Sequence, residues 1–236
     1  MKVVLLAGGK GTRMGDMTKT LPKPLVPLGE KPILWHIMKT YSHYGLKEFV
    51  ICCGYKTKKF YEFVDNLKED WNVEISSLVD RDGKEVTKSQ RIKNIEGLIN
   101  DKEFFVSYGD DLCDVNPNKI YEFFKKKNKI ATITAVKIRS DFGILETDRN
   151  SIITGFKEKP LLDYWINGGY MVFNRKIFDF LNVGELEKEV FERLVELKQI
   201  CAFKYNGNWE TINTYKDYLK LNKLWENNPF WKVYEK

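Results

Sequence analysis

Val3-Val4-Leu5-Leu6-Ala7-Gly8-Gly9-Lys10-Gly11-Thr12-Arg13-Met14 opens the chain, and Leu21-Pro22-Lys23-Pro24-Leu25 closes the loop behind it. The apolar run Val3–Leu6 reads as a buried strand. It empties into a loop of small residues, one hydroxyl and several cations. Glycines let backbone N–H groups approach an anion closely, and cations neutralise it. The segment is suited to hold a polyphosphate. It also lies where the first strand of an α/β sheet ends, which is where such sheets bind ligands.

Outward from this loop, elements alternate. Pro32 starts a helix with Leu34, Ile37, Met38 and Tyr41 on one face. Glu48–Cys53 reads as a strand, Thr57–Leu67 as a helix and Val73–Val79 as a strand. Asp80–Ser89 reads as a loop and Arg91–Ile99 as a short helix. Phe104–Tyr108 is a strand ending at Gly109-Asp110-Asp111, then Pro117–Lys127 a helix and Ile130–Lys137 a strand. This alternation predicts a mostly parallel sheet. Afterwards the rhythm changes to short strands at Gly143–Thr147, Ile152–Phe156 and Gly169–Phe173. A helix at Glu185–Leu197, a strand at Ile200–Tyr205 and a helix at Tyr215–Trp225 complete the chain. No repeat or linker divides it. The expectation is one α/β domain over residues 1–236, with a nucleotide half (1–115) and an acceptor half (116–236).

The 236 residues, 43% hydrophobic and 31% charged, match a globular chain with ample core. No apolar run reaches the ~20 residues of a membrane span, and no signal-peptide pattern opens the chain. Cys52, Cys53, Cys113 and Cys201 form neither a CxxC pair nor a disulfide framework. Reduced thiols in a cytoplasmic protein are expected, and with only His36 and His43 to help, zinc is not. The net charge is +6. The run Lys125-Lys126-Lys127 with Lys129 closes a helix, where cations complement the dipole. No nucleic-acid motif accompanies it, so neither nucleic acid nor membrane is an expected partner. Self-association is left open.

Gly8–Gly15 lacks the glycine-lysine-hydroxyl ending of a Walker loop. It also lacks the third glycine and the ribose-binding carboxylate of the dinucleotide fingerprint. Pro22 and Pro24 instead hold Lys23 between two fixed backbone positions, which suits a cation that must be aimed. With the further stretches Lys31-Pro32-Ile33-Leu34-Trp35-His36, Tyr44-Gly45 and Val50-Ile51-Cys52-Cys53-Gly54-Tyr55, the pattern resembles the nucleotide-sugar pyrophosphorylases. The wording is most similar to the glucose-1-phosphate cytidylyltransferase branch. Tyr108-Gly109-Asp110, Phe142-Gly143, Glu158-Lys159-Pro160, Ile166-Asn167-Gly168-Gly169 and Trp209 extend the resemblance in order along the chain.

The resemblance implies a Rossmann-like, glycosyltransferase-A-like nucleotidyltransferase fold with small β additions in the C-terminal half. It implies reaction of CTP with a phosphorylated acceptor to give a CDP-linked product and pyrophosphate. An acceptor phosphate oxygen attacks the α-phosphorus in line, so catalysis is positioning and charge neutralisation. By resemblance, Arg13 neutralises the leaving pyrophosphate and Lys23 the attacking and α phosphates. Leu6, Ala7, Gly8, Gly9, Gly11, Thr12, Thr87, Arg91 and Gly109 bind the nucleotide. Gly143, Glu158, Lys159, Asn167, Gly168 and Tyr170 bind the acceptor, with Trp209 a further aromatic candidate. Asp110 ligates magnesium. A role in capsule or lipopolysaccharide assembly goes with the branch.

Two departures from the pattern stand out. Where a second metal carboxylate is expected, Trp209-Glu210-Thr211-Ile212-Asn213-Thr214 supplies the amide Asn213. An amide oxygen can ligate magnesium but brings no charge, so Asp111 or Glu210 is an alternative contributor. Where the branch has a threonine-glycine-glycine-arginine turn, this chain has Thr87-Lys88-Ser89-Gln90-Arg91. Lys88 and Gln90 add bulk there. A sugar 1-phosphate such as glucose 1-phosphate is the expected acceptor. A smaller non-sugar phosphate such as phosphoglutamine is the alternative, and a non-catalytic nucleotide-binding protein the reading from another class.

Overall fold

Strand β1 (Val3–Leu6) is buried at every side chain. The computed structural model describes residues 1–80, 86–182 and 184–235. The loop after β1 holds single helical turns at Thr12–Met14 and Lys23–Leu25, a short helix α1 (Met17–Thr20) and a small hairpin, β2 (Pro27–Leu28) with β3 (Lys31–Pro32). Helix α2 (Ile33–His43), β4 (Glu48–Cys53), α3 (Thr57–Asp65) and β5 (Asn72–Ser77) follow. Next come α4 (Lys88–Lys93), β6 (Glu103–Tyr108), β7 (Asp111–Cys113), α5 (Pro117–Lys127) and β8 (Ala131–Val136). The C-terminal part holds a hairpin, β9 (Ile144–Thr147) with β10 (Ile153–Lys157), and the long β11 (Ile166–Asn174). A wide helical turn (Leu186–Val190) then runs into α6 (Phe191–Glu196). Strands β12 (Ile200–Lys204) and β13 (Trp209–Thr211) and helix α7 (Tyr215–Asn227) follow.

The main sheet has seven strands in the order β12-β8-β11-β6-β1-β4-β5. Strand β11 runs antiparallel to both β6 and β8, and every other pairing is parallel. The mostly parallel expectation therefore holds. The chain moves from β1 outward to β4 and β5, then returns to place β6 on the other side of β1. This reversal opens a crevice above the C-terminal ends of β1 and β6, the usual ligand site of open α/β sheets. Gly8–Arg13 leaves one of those ends and Gly109-Asp110 the other.

Both sheet faces are covered, and alternate residues serve opposite cores. Val3, Leu5, Phe49, Ile51 and Phe105 pack beneath α2 and α5 with Ile37, Met38, Tyr41, Ile120 and Phe124. Val4, Leu6, Val50, Phe104 and Val106 pack on the other side with Ile92, Ile99, Phe178, Leu186 and Leu194. Each fully buried side chain of this size contributes roughly 1.5–3 kcal/mol of hydrophobic stabilisation. Helix α2 is buried well beyond its expected apolar face, at Trp35 and His36 as well. The reason is the segment after α7, where the Trp231 side chain is fully buried and Tyr234 packs edge-on against Trp35.

Three expectations are corrected. The long first loop carries local helical and hairpin structure. The helix expected at Arg91–Ile99 begins at Lys88, because Thr87 and Gln90 form a reciprocal capping box that satisfies the first backbone N–H groups. Of the loop expected over Asp80–Ser89, residues 81–85 lie outside the described residues. Finally, β7 pairs antiparallel with β13, bringing Asp111 opposite Thr211. Both strands are too short for periodicity to reveal. Among the described residues no helix is long and apolar enough to cross a membrane.

Candidate active site

Two adjoining cavities occupy the crevice. The first, about 390 Å³, is lined by Leu6, Ala7, Gly9, Lys10, Gly11, Thr12, Arg13, Lys23, Pro24 and Asp110. The second, about 540 Å³, shares Leu6, Gly9, Arg13 and Asp110 with it. That cavity extends past Gly8, Thr87, Lys88, Arg91, Tyr108, Asp111, Asn167, Glu185, Trp209, Thr211 and Asn213. The expected nucleotide and metal residues other than Gly109 therefore converge, although they come from four separate parts of the chain.

Lys23 lies at the junction. The turn Lys23–Leu25 begins at Pro22, and the Lys23 side chain is only 10% exposed. Its ammonium forms an ion pair with Asp110 and donates to Asn213 Oδ1 at 3.0 Å. Arg13 Nη2 donates to the same oxygen at 3.2 Å. Gly11 makes this approach feasible. Its φ is +66°, and a Cβ there would lie 2.8 Å from Lys23 Cβ. Asn213 is held in turn by α7, since Asp217 Oδ2 accepts from the backbone N–H groups of Asn213 and Thr214.

Asp111 and Glu210 divide from Asp110. Asp111 is 4% exposed, and burial together with the neighbouring Asp110 charge pushes its carboxyl well above the usual carboxylate range. Glu210 points away from the cavity that its neighbours Trp209 and Thr211 line, and it pairs with Lys220. Alternation along β13 is the cause.

Arg91 was expected in the pocket and lines it, but its side chain is 6% exposed and its guanidinium is turned to the protein. It donates to the carbonyls of Cys53, Leu78 and Gly8 and lies 3.7 Å from Asp80. It thereby ties together the chain ends that follow β1, β4 and β5. Gly109 lies just beneath the cavities, its N–H donating to Leu6 O at 3.0 Å. Thr87, besides facing the cavity, is the N-cap of α4.

The expected acceptor residues separate. Asn167 lines the second cavity, and Gly168 O accepts from Trp209 Nε1 at 2.9 Å. Tyr170 is corrected: it is 1% exposed, stacks on Tyr41 and donates to Asp111 O at 3.0 Å, so it supports the wall from behind. Gly143, Glu158 and Lys159 belong to the β9–β10 arm and do not line either cavity. Lys159 is 59% exposed and lies 3.4 Å from Glu158.

Residue reasoning missed Lys10, Tyr108, Glu185, Thr211 and Glu187. Tyr108 donates to Glu187 and accepts from Asn167 Nδ2 at 3.0 Å. Burial, then the Glu187 charge, push the Tyr108 phenol far up. Burial would raise Glu187, but hydrogen bonds from Lys88 and Tyr108 outweigh it and hold the carboxyl below its ordinary value. Glu187 sits in a run of acidic and basic residues with no sequence mark of its own. Tyr108 adjoins the quoted Gly109-Asp110 and could have been found there.

Comparison with known proteins agrees with this architecture. The model of the nucleotidyl transferase family matches residues 2–228. The "probable glucose-1-phosphate cytidylyltransferase" of Bacillus subtilis is 34% identical over 257 residues, covering 99% of this chain and 100% of the relative. The glucose-1-phosphate cytidylyltransferase of Salmonella typhimurium is 35% identical over 261 residues, covering 100% of both. The crystal structure of HddC from Yersinia pseudotuberculosis superposes with a TM-score of 0.74 at 22% identity, over 95% of this chain and 99% of that one. That last likeness concerns the fold alone. A glycine loop at the sheet's reversal, full-length relatives and a matching family model together establish that the chain belongs to the nucleotidyl transferase family.

Proposed function

We propose that this chain is a cytidylyltransferase that joins CTP and glucose 1-phosphate to give CDP-glucose and pyrophosphate. The observation that carries the reading is the meeting of Lys23, Arg13, Asp110 and Asn213 at the junction of two cavities. One cavity has the glycine loop that suits a triphosphate, and the other has hydroxyl-recognising groups. The full-length relatives named for this reaction support the choice of CTP and of a sugar 1-phosphate. Residues 1–115 supply most of the nucleotide side and residues 116–236 the acceptor side.

In the reaction, an oxygen of the acceptor phosphate attacks the α-phosphorus of CTP. A new P–O bond forms, the α–β bridging bond breaks, and its electron pair leaves with pyrophosphate. Lys23, seated between the two cavities, neutralises the attacking and α phosphates. Arg13, on the loop side, stabilises the leaving pyrophosphate. Gly8, Gly9, Gly11 and Thr12 offer backbone and hydroxyl donors to the triphosphate. Such preorganised charge is the main catalytic resource of phosphoryl and nucleotidyl transfer.

The donor set fits magnesium. Asp110 offers one carboxylate and Asn213 one amide oxygen, and among the described residues no thiol or imidazole lines either cavity. Hard oxygen donors with one carboxylate suit a magnesium ion that shares its shell with substrate phosphates. Bound there, the ion supplies charge neutralisation at the triphosphate.

The test is pyrophosphate release from CTP with glucose 1-phosphate, run beside UTP, dTTP and GTP and beside phosphoglutamine as a non-sugar acceptor. Release dependent on CTP and glucose 1-phosphate is expected. CTP binding without release from any acceptor overturns the enzyme reading, and release only with another pair reassigns the substrates.

A further inference from the structure

We propose that Lys88 is a positioning residue for the acceptor: paired with Glu187 behind the cavity wall, it fixes the Tyr108 hydroxyl and through it the Asn167 side chain, which line the cavity toward the acceptor's hydroxyls. The proposal rests on the sugar 1-phosphate reading above and names a specificity element within that site.

Lys88 is the first residue of α4, and the Thr87–Gln90 capping box fixes where that helix begins. From there its side chain passes over Tyr108, with Nζ 4.6 Å from the ring centroid, and forms an ion pair with Glu187. Tyr108 donates to the same oxygen, Glu187 Oε1. The Tyr108 hydroxyl accepts in turn from Asn167 Nδ2 at 3.0 Å, and Asn167 Oδ1 accepts from Gly169 N at 2.9 Å. A single chain of donors therefore runs from α4 across to β11, with the direction of every bond determined by the next. Both donors to Glu187 use Oε1. Held in this way, Tyr108 and Asn167 present fixed polar groups at the cavity wall for a sugar hydroxyl.

Charge supports the same assignment. Asp110 and Glu185 line this cavity, and the acceptor brings a phosphate. An uncompensated Glu187 would oppose its entry. Lys159 does not line the cavity, whereas Lys88 does. The pair is partly exposed, at 44% for Lys88 and 34% for Glu187, and Lys88 itself lines the cavity.

The experiment is steady-state pyrophosphate release from CTP and glucose 1-phosphate by the full chain carrying Lys88→Met, Lys88→Arg, Glu187→Gln and the Lys88→Met/Glu187→Gln pair. Lys88→Met is expected to raise KM for glucose 1-phosphate about tenfold, the scale of one charge-assisted hydrogen bond. KM for CTP should stay within about twofold of wild type, and Lys88→Arg should recover most of the loss. In the Glu187→Gln background, Lys88→Met should add little, since the two act as one unit. Thermal melting of each variant checks that it folds, and Lys88→Arg carries the comparison should Lys88→Met melt early. An unchanged KM for glucose 1-phosphate, a rise in KM for CTP instead, or an undiminished effect in the Glu187→Gln background overturns the proposal. A wild-type protein that releases no pyrophosphate overturns the proposed function itself, a different outcome from a wild type that is active and indifferent to Lys88.

Discussion

The amide oxygen of Asn213 lies 3.0 Å from the ammonium of Lys23, two residues 190 positions apart in the chain. The same oxygen takes the Arg13 guanidinium at 3.2 Å, so one neutral group aligns both cations of the site. A carboxylate here would bind the cations more tightly and add a charged ligand for metal. Asn213→Asp is therefore expected to lower the magnesium concentration for half-maximal pyrophosphate release, by roughly tenfold for one added charge at contact range in partly exposed surroundings. Titration of the variant with Mn²⁺ in the absence of nucleotide should show binding tighter than wild type. Equal or weaker metal binding would contradict the role given to this position.

Lys23→Ala removes the ammonium that lines the first cavity and bridges Asp110 and Asn213. Pyrophosphate release should fall about 10²–10³-fold, the scale for loss of one preorganised donor to developing charge. Asp110 loses its partner but keeps 27% exposure and water, so the melting temperature should change little. A variant that folds and keeps wild-type turnover would place the working cation elsewhere.

Gly169 has φ +75°, and a Cβ there would meet Asp111 Oδ2 at 2.1 Å and Tyr108 Cδ2 at 2.8 Å. Gly169→Ala adds both backbone strain and a clash beneath the acceptor wall. Urea unfolding should report a loss of about 1–3 kcal/mol. KM for the acceptor should rise along with it because Asn167 and Tyr108 are displaced.

His36 is fully buried between Leu28 O at 2.9 Å and the Tyr234 hydroxyl at 3.0 Å. Burial, against the opposing hydrogen bond to Leu28, lowers its pKa from 6.5 to about 4. Between those values the unfolded chain binds the proton and the folded chain does not. Stability from this group is therefore complete above pH 6.5 and is lost as pH falls toward 4, by roughly 3 kcal/mol in all. Urea unfolding from pH 7 to pH 4.5 should show the decline, and a His36→Gln variant should flatten it. A decline of equal size in the variant would assign it to other groups.

Much of the fold is legible in local pattern. Val3–Leu6 is apolar without interruption because both faces of a central strand are buried, and the alternating helices follow from the same requirement. The glycine loop and the proline-flanked Lys23 are legible because their function lies in the backbone geometry of adjacent residues. The β7–β13 pair escaped because strands this short have no readable period. The start of α4 at Lys88 is carried by the capping signal Thr87-x-x-Gln90, which an expectation of a pocket loop over these residues overlooks.

The sequence by itself determined the kind of each long element, the parallel character of the sheet and the anion-binding nature of its first loop. Periodicity and glycine or proline placement are properties of neighbouring residues, so neighbours suffice to reveal them. Tertiary structure alone decided that Asn213 meets Lys23 and Arg13, that Lys88 reaches Glu187, that Tyr170 is buried behind the wall, and that Lys159 stays outside the cavities. Those relations depend on strand order. Strand order is set by covering both faces of the sheet at once, a collective result of packing that no single segment encodes.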